Sequence, residues 1–170
     1  QDHVFHSPGE VKAEIGDLPL LGHIPYVEFF KGVREDKRFL LQELDSETKT
    51  DTSDTERKAA RYQRFFYQEA FRNLFTSLRF LNSDRALRSI AMTSSLPAEG
   101  KSLVNTLLAK TLAEMGQRVL LIDADLRKPQ LHTRLGLNNL RGLSNLLTDD
   151  STHWRQALQT IAGYEGWSVI

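Results

Sequence analysis

Residues 94–102 carry the groups that a protein uses to hold phosphate, in the order Ser-Ser-Leu-Pro-Ala-Glu-Gly-Lys-Ser. Gly100 has no Cβ, so the backbone there can approach a phosphate closely. Lys101 offers an ammonium group to the β- and γ-phosphates, and the Ser102 hydroxyl offers one ligand to Mg²⁺. The spacing matches the phosphate-loop pattern G-x-x-x-x-G-K-[ST], except that Ser95 stands at the first glycine.

The segments on either side of the loop have suitable patterns. Residues 89–93 are short, apolar and strand-like, and residues 103–115 place apolar side chains near one face of a helix. Backbone N–H groups at the start of that helix, aided by its dipole, favour a bound anion. An ordinary polar turn is the alternative interpretation of residues 94–102.

If the segment is a phosphate loop, the residues predicted to contact a nucleotide are Ser95, Pro97, Ala98, Glu99, Gly100, Lys101 and Ser102.

Two aspartates follow a second apolar run. Residues 119–122 read Val-Leu-Leu-Ile, which is typical of a parallel strand covered on both faces, and Asp123 and Asp125 come next. The order strand, loop, helix, strand is a βαβ unit, in which ligands bind beyond the carboxyl ends of the strands. We therefore expect both aspartates beside the loop, where a carboxylate can hold Mg²⁺ or accept a hydroxyl proton. Alternatively, they only cap the following turn.

The loop and the Asp-x-Asp segment together resemble the bacterial tyrosine kinases, in which they are called Walker A and Walker A′. The matching stretches are residues 93–102 and 121–129, with further similarity at 141–147 and 18–25. These kinase domains control the synthesis and export of capsular and exopolysaccharides. The resemblance implies an α/β fold like that of P-loop NTPases, a three-layer sandwich with a mainly parallel sheet. It also implies a location at the cytoplasmic face of the bacterial inner membrane.

The resemblance also implies a reaction, namely transfer of the γ-phosphate of ATP to a tyrosine hydroxyl, mainly on the tail of a neighbouring subunit. The implied cofactors are ATP or ADP and Mg²⁺. Lys101, Asp123 and Asp125 are the implied catalytic residues, and Ser102, Asp123 and Asp125 are the implied metal contacts. A transmembrane activator segment or subunit of the same system is an implied partner.

Two features depart from the family pattern. The family's oligomerisation motif is Glu-x-x-Arg-x-x-Arg; Glu69 and Arg72 match it, but Phe75 replaces the last arginine. This weakens the expectation of a homo-oligomeric ring, and an amphipathic packing face is the alternative interpretation. In addition, no apolar strand ending in aspartate and no tyrosine cluster follow residue 129. We therefore expect a domain that is truncated before the motif called Walker B.

We expect three regions. By the resemblance, residues 1–41 are a juxtamembrane-like segment and residues 59–170 are an incomplete P-loop kinase domain. Residues 42–58, between them, have the composition of a polar linker or loop. Within residues 59–170, a long helix is predicted over residues 59–81. Another helix is predicted over residues 151–162, with Trp154, Leu158 and Ile161 on its buried side.

Composition excludes several classes of protein. Lysine and arginine number 22, as do aspartate and glutamate, so no overall positive field favours nucleic acid. Cysteine is absent, which excludes disulfides and thiolate metal sites.

Two functions remain as alternatives to a tyrosine kinase. They are a MinD/ParA-like ATPase switch and a nucleotide-binding regulatory module without kinase activity. The first is disfavoured because those ATPases carry a lysine where Leu96 stands.

Overall fold

The computed structural model describes residue 5 and residues 7–25, 54–81, 84–96 and 99–170. The helices are α1 (Pro8–Ile15), α2 (Asp54–Phe80), α3 (Lys101–Glu114), α4 (Leu131–Leu135), α5 (Leu143–Thr148) and α6 (Trp154–Ala157). The strands are β1 (Val119–Leu121), β2 (Gln159–Thr160) and β3 (Trp167–Val169). The chain is thus an α/β protein, as predicted.

The strands form a sheet in the order β1-β3-β2. β1 is parallel to β3, with Leu121 opposite Val169, whereas β2 is antiparallel to β3. The ladder continues beyond β1, since the Asp123 N–H donates to the Ile170 carbonyl (2.8 Å) and the Ile170 N–H donates to the Leu121 carbonyl (3.0 Å). Within the described residues the sheet is mixed.

Helix α3 packs against β1 and β3 on one side and against α2 on another. The helix predicted over residues 103–115 is confirmed, with its start two residues earlier at Lys101. Gly116, at φ +77°, follows the end of the helix and turns the chain towards β1. Because so short a turn joins them, α3 and β1 run in roughly opposite directions. The first turn of α3 therefore lies towards the carboxyl end of β1.

The apolar core consists of two clusters that share α3. The cluster between α2 and α3 contains Tyr67, Phe71, Leu78, Leu107 and Leu108. The cluster between α3 and the sheet contains Ala109, Ala113, Leu121, Leu131, Leu135, Ile161, Trp167 and Val169. Burial of a large apolar side chain contributes roughly 1.5–3 kcal/mol. The two clusters therefore hold α3, whose first turn carries Lys101, from both sides.

Two strand predictions require correction. The predicted strand at residues 119–122 exists as β1, but Leu120 and Ile122 are each 48% exposed, so it is not covered on both faces by the described residues. Residues 89–93 are described without a strand, and Ile90 is 39% exposed. A strand exists only where its N–H and C=O groups pair with a neighbour. No described segment pairs with residues 89–93.

The polar linker predicted over residues 42–58 also requires correction. Helix α2 begins at Asp54, so residues 54–58 are helical, and the rest of the predicted linker lies outside the described residues. The long helix predicted from residue 59 therefore starts earlier, and it ends at Phe80. A polar surface does not oppose helix formation where another face of the same helix packs on the core.

The helix predicted over residues 151–162 is largely wrong. Only α6 is helical there, and the next residues form β2 against β3. Trp154 is 48% exposed, with the Arg155 guanidinium 4.3 Å from its ring centre, whereas Ile161 is buried as predicted. Apolar positions in so short a stretch fit a helix or a strand, and pairing with β3 decides the outcome.

Part of the predicted juxtamembrane-like segment packs on the α2–α3 cluster. Leu21 and Ile24 contact that cluster, and the backbone at Gly22 passes Leu74 of α2. Residues 26–41 of the segment lie outside the described part of the chain. None of the helices within the described ranges combines the length and the hydropathy needed to cross a lipid bilayer.

Candidate phosphate-binding site

The candidate site is the loop between residues 94 and 100, together with the first turn of α3. Pro97 and Ala98 lie outside the described residues, so their nucleotide contacts stay predictions. At the start of the loop, the Ser94 hydroxyl donates to the Leu96 carbonyl at 2.9 Å. This bond begins the turn that leads towards the helix.

Gly100 is the N-cap residue of α3 and has a left-handed backbone, with φ +93° and ψ +14°. A Cβ built there would meet no atom within 4 Å, so glycine is favoured by the backbone conformation rather than by crowding. The Gly100 carbonyl accepts the Val104 N–H at 2.9 Å and so begins the helix. The N–H groups of Lys101 and Ser102 precede the first intrahelical bond, which makes them donors for an anion.

Lys101 and Ser102 lie side by side in the first turn of α3. Lys101 is exposed, and its Nζ donates to the Ser94 hydroxyl at 3.0 Å, so its ammonium group lies over the start of the loop. Ser102 is half-buried, and its carbonyl accepts the Thr106 hydroxyl at 2.7 Å. Among the described residues, none is hydrogen-bonded to the Ser102 hydroxyl. That hydroxyl is therefore available to a metal ion, and its role as a metal ligand stays a prediction.

Glu99 has a role in the loop that the sequence analysis missed. The Leu96 N–H donates to its Oε2 at 3.0 Å, and the Ser95 hydroxyl lies 3.2 Å from Oε1 and 3.3 Å from Oε2. The bond from the Leu96 N–H lowers the pKa of the Glu99 carboxyl below its ordinary value, with a smaller contribution from Ser95. An exposed carboxylate thus connects the end of the loop to its beginning.

Asp123 accepts hydrogen bonds on both carboxylate oxygens. The N–H groups of Gln130 and Leu131 donate to Oδ2, each at 3.0 Å, and the Asp125 N–H donates to Oδ1 at 3.1 Å. Asp123 therefore holds the turn before α4, as the capping interpretation stated. This role is compatible with metal binding, since Oδ1 accepts only one N–H group and keeps a second lone pair.

Asp125 is exposed and caps the same turn. Its Oδ1 accepts the N–H groups of Arg127 at 3.3 Å and Lys128 at 3.0 Å. Within the described part of the chain, no donor reaches Oδ2. One oxygen of Asp125 is therefore available to a metal ion or an acceptor hydroxyl.

A cavity of about 70 Å³ lies beside the two aspartates, at the carboxyl ends of β1 and β3. Its wall mixes apolar side chains with His132, Arg141 and Gln159, and it includes no residue of the 94–102 loop. No described contact joins either aspartate to Lys101 or Ser102. The structure therefore brings Asp123 and Asp125 together at this cavity, and their meeting with the loop at one metal ion stays a prediction.

The available donors fit Mg²⁺ and a nucleotide. Carboxylate and hydroxyl oxygens are the ligands that Mg²⁺ prefers, and Lys101 with the helix N–H groups suits phosphate. Across the described residues, no three His, Asp or Glu side chains converge on one point. An ion held here would therefore also need phosphate oxygens and water, which is usual for Mg²⁺.

The predicted oligomerisation motif lies on α2. The Arg72 guanidinium donates to the Glu69 carboxylate at 2.9 Å, and both side chains are exposed. Phe75 instead packs against the α2–α3 cluster, and the Arg79 guanidinium lies 5.9 Å from its ring centre. The position that departs from the family motif thus contributes to the core.

A loop that opens a helix and aspartates that follow a parallel strand are both typical of the P-loop NTPases. Comparison with known proteins shows which group of proteins this chain is similar to. No protein-family model matches the chain. Tyrosine-protein kinase YwqD of Bacillus subtilis is 44% identical over 91 residues, which are 54% of this chain and 38% of YwqD. Tyrosine-protein kinase wzc of Salmonella typhimurium is 42% identical over 79 residues, covering 46% of this chain and 11% of that protein.

A solved structure agrees with these relatives. The kinase domain of the Escherichia coli tyrosine kinase ETK superposes with a TM-score of 0.71 and 28% sequence identity, covering 98% of this chain and 60% of that domain. The chain is therefore related in sequence and in fold to the bacterial tyrosine kinases, as predicted. It spans less than two thirds of the length of each of these relatives.

Proposed function

We propose that this chain is the nucleotide-binding part of a bacterial protein-tyrosine autokinase domain. The observation that supports this most directly is the start of α3, where left-handed Gly100, the Lys101 ammonium and the open Ser102 hydroxyl follow one another. The N–H groups of this turn bind the phosphates of ATP, and Lys101 neutralises their charge. Similarity to named tyrosine kinases favours this function over a MinD/ParA-like switch.

The two aspartates complete the proposed site. Ser102 and Asp123 would hold Mg²⁺, which when bound would neutralise charge that develops on the phosphates. Asp125 orients the acceptor tyrosine hydroxyl through its free Oδ2 and accepts its proton as the phosphoryl group is transferred. A cavity lies beside Asp125. In this proposal, the acceptor side chain approaches Asp125 from that cavity.

The wider setting is also part of the proposal. The kinase acts at the cytoplasmic face of the bacterial inner membrane, in the synthesis and export of a capsular polysaccharide or exopolysaccharide. Its partners are a transmembrane activator and neighbouring kinase subunits, which contact one another through the exposed Glu69 and Arg72 on α2. The complete domain forms a three-layer sandwich with a mainly parallel sheet, to which β1 and β3 contribute a parallel pair.

Calorimetric binding of Mg·ADP tests the phosphate site. Lys101→Met should weaken binding about 10- to 100-fold, because a charge-assisted hydrogen bond contributes about 1.5–3 kcal/mol. Lys12→Met, which alters an exposed lysine on α1, is the matched control and should bind as the unaltered chain does. Equal affinity in all three proteins would contradict the proposed role of Lys101.

Phosphotyrosine formation on a tyrosine-containing acceptor polymer tests the catalytic step with the same protein. Asp125→Asn should keep Mg·ADP binding and lose phosphoryl transfer, since the amide cannot accept the hydroxyl proton. If the unaltered chain binds Mg·ADP but forms no phosphotyrosine, this part of the domain is a nucleotide-binding module and does not act as a kinase by itself.

A further inference from the structure

We propose that Glu99 is a positioning residue that closes the phosphate loop and takes over the structural task of the missing first glycine. This inference rests on the proposed function, because it assigns a role to a side chain of that same loop. Three hydrogen-bond distances carry it. The Leu96 N–H lies 3.0 Å from Oε2 of Glu99, and the Ser95 hydroxyl lies 3.2 Å from Oε1 and 3.3 Å from Oε2.

Serine at the first position of the loop pattern explains why a closing contact is useful. Glycine there would let the chain turn without side-chain support, whereas Ser95 carries a hydroxyl that needs a partner. Glu99 accepts from that hydroxyl and from the next N–H together. A carboxylate suits this task because its two oxygens can accept several donors at once.

The contact connects the beginning of the loop to its end, and a second contact does the same. Lys101 Nζ donates to the hydroxyl of Ser94, which directly precedes Ser95. Two consecutive serines are thus held by two side chains from the far end of the loop. These two contacts hold the beginning and the end of the loop at a fixed distance from each other.

Among the described residues, Glu99 accepts no hydrogen bond from the N–H groups at the start of α3. Its carboxylate takes the N–H of Leu96, whereas the N–H groups at the start of α3 belong to Gly100, Lys101 and Ser102. The negative charge lies near the positive end of the α3 dipole, which favours its ionised form. The bound loop therefore keeps the Glu99 contact while those N–H groups meet the phosphates.

The opposite role would be that of an internal competitor, a carboxylate that must leave before phosphate binds. The two roles predict changes of opposite sign. Removal of a positioning side chain weakens nucleotide binding, whereas removal of a competitor strengthens it. A conservative substitution separates them further, because the Gln oxygen can accept the Leu96 N–H without carrying charge.

The experiment compares the unaltered chain with Glu99→Ala, Glu99→Gln and the control Glu165→Ala, which alters an exposed glutamate in the turn before β3. Amide hydrogen exchange at Leu96 is measured without nucleotide, and the Kd for Mg·ADP is measured by calorimetry. Glu99→Ala should speed Leu96 exchange and weaken binding, each by about 5- to 10-fold, which corresponds to the loss of one ordinary hydrogen bond. Glu99→Gln should stay within about 3-fold, and Glu165→Ala should change neither quantity.

Unchanged or tighter binding by Glu99→Ala would overturn the proposal, as would Glu99→Gln binding as weakly as Glu99→Ala. If the unaltered chain shows no Lys101-dependent binding, the proposed function fails. Leu96 exchange then decides the inference separately. Equal exchange in the unaltered chain and in Glu99→Ala would show that Glu99 does not hold the loop.

Discussion

At the scale of single residues, Asp123 shows how one carboxylate can serve folding and chemistry together. It accepts three backbone N–H groups and so fixes the turn between β1 and α4. These bonds fix the orientation of the carboxylate, and a metal ligand needs a fixed orientation. Asp123 therefore contributes to stability even without nucleotide or metal.

Asp123→Ala should lower the free energy of unfolding by about 1–3 kcal/mol, because half-buried N–H groups of Gln130 and Leu131 lose their acceptor. Asp123→Asn keeps one acceptor oxygen and should lose less. Urea unfolding without nucleotide and Mg²⁺ measures this effect apart from any role in catalysis. Asp17→Ala, in the exposed turn after α1, is the control. A loss no larger than that of the control would show that the three bonds do not stabilise the turn.

At the scale of elements, α3 is positioned by polar contacts as well as by its two apolar clusters. The buried Lys110 donates to the Glu114 carboxylate one turn later and lies 5.4 Å from the ring centre of Tyr164. Burial by itself would lower the pKa of Lys110, but hydrogen bonds with Glu114 and Tyr164 outweigh it and raise that pKa. The cation thus connects the middle of α3 to the turn before β3.

The connection between α5 and α6 depends on Asp149. Its carboxylate accepts the Ser151 hydroxyl at 2.6 Å and the Thr152 hydroxyl at 2.7 Å. These bonds hold the pKa of Asp149 below its ordinary value, and the bond from Ser151 has the largest effect. The ionised group therefore stabilises the fold above its ordinary pKa, and this stabilisation is lost as the pH falls through the lowered pKa.

Asp149→Ala should lower the midpoint of thermal unfolding at neutral pH, and its difference from the unaltered chain should disappear on acidification below the lowered pKa. The side chain in Asp149→Asn cannot ionise. The thermal unfolding midpoint of this variant should therefore lack the part of its pH dependence that comes from Asp149. The neighbouring exposed Asp150→Ala is the control. A difference between Asp149→Ala and the unaltered chain that persists at the acid end would contradict the assignment.

At the scale of the whole molecule, both apolar clusters include residues of α3. The helix separates the α2–α3 cluster from the cluster on the sheet, and its first turn carries the candidate phosphate site. Damage to either cluster therefore affects the site through the position of α3. The exposed side chains Leu120 and Ile122 show that one face of β1 contributes little to this core.

Two phenylalanines on α2 test this arrangement. Phe71 is fully buried, whereas Phe66 is 59% exposed. Phe71→Ala should lower the free energy of unfolding by about 3–5 kcal/mol through loss of burial and creation of a cavity. Phe66→Ala should change it by about 0.5 kcal/mol or less. Urea unfolding measures both, and similar losses would show that α2 does not pack on α3 through Phe71.

The amino-acid sequence alone determined the features that depend on neighbours in the chain. Gly100, Lys101 and Ser102 predicted the loop and the start of α3, because helix-start signals and phosphate donors lie within a few residues of one another. The Asp-x-Asp segment predicted that the chain is similar to tyrosine kinases, because this motif also lies within a few residues. Spacing within one short segment is directly visible in a sequence.

Only the tertiary structure decided the features that depend on distant segments. Residues 89–93 have strand-like composition but no described partner, and residues 159–160 form a strand because β3 lies beside them. Strand pairing joins segments that are far apart in the chain, so local composition does not determine it. The contacts of Glu99 and Asp123 also depend on the folded backbone, because only a completed turn brings an N–H group to a carboxylate oxygen.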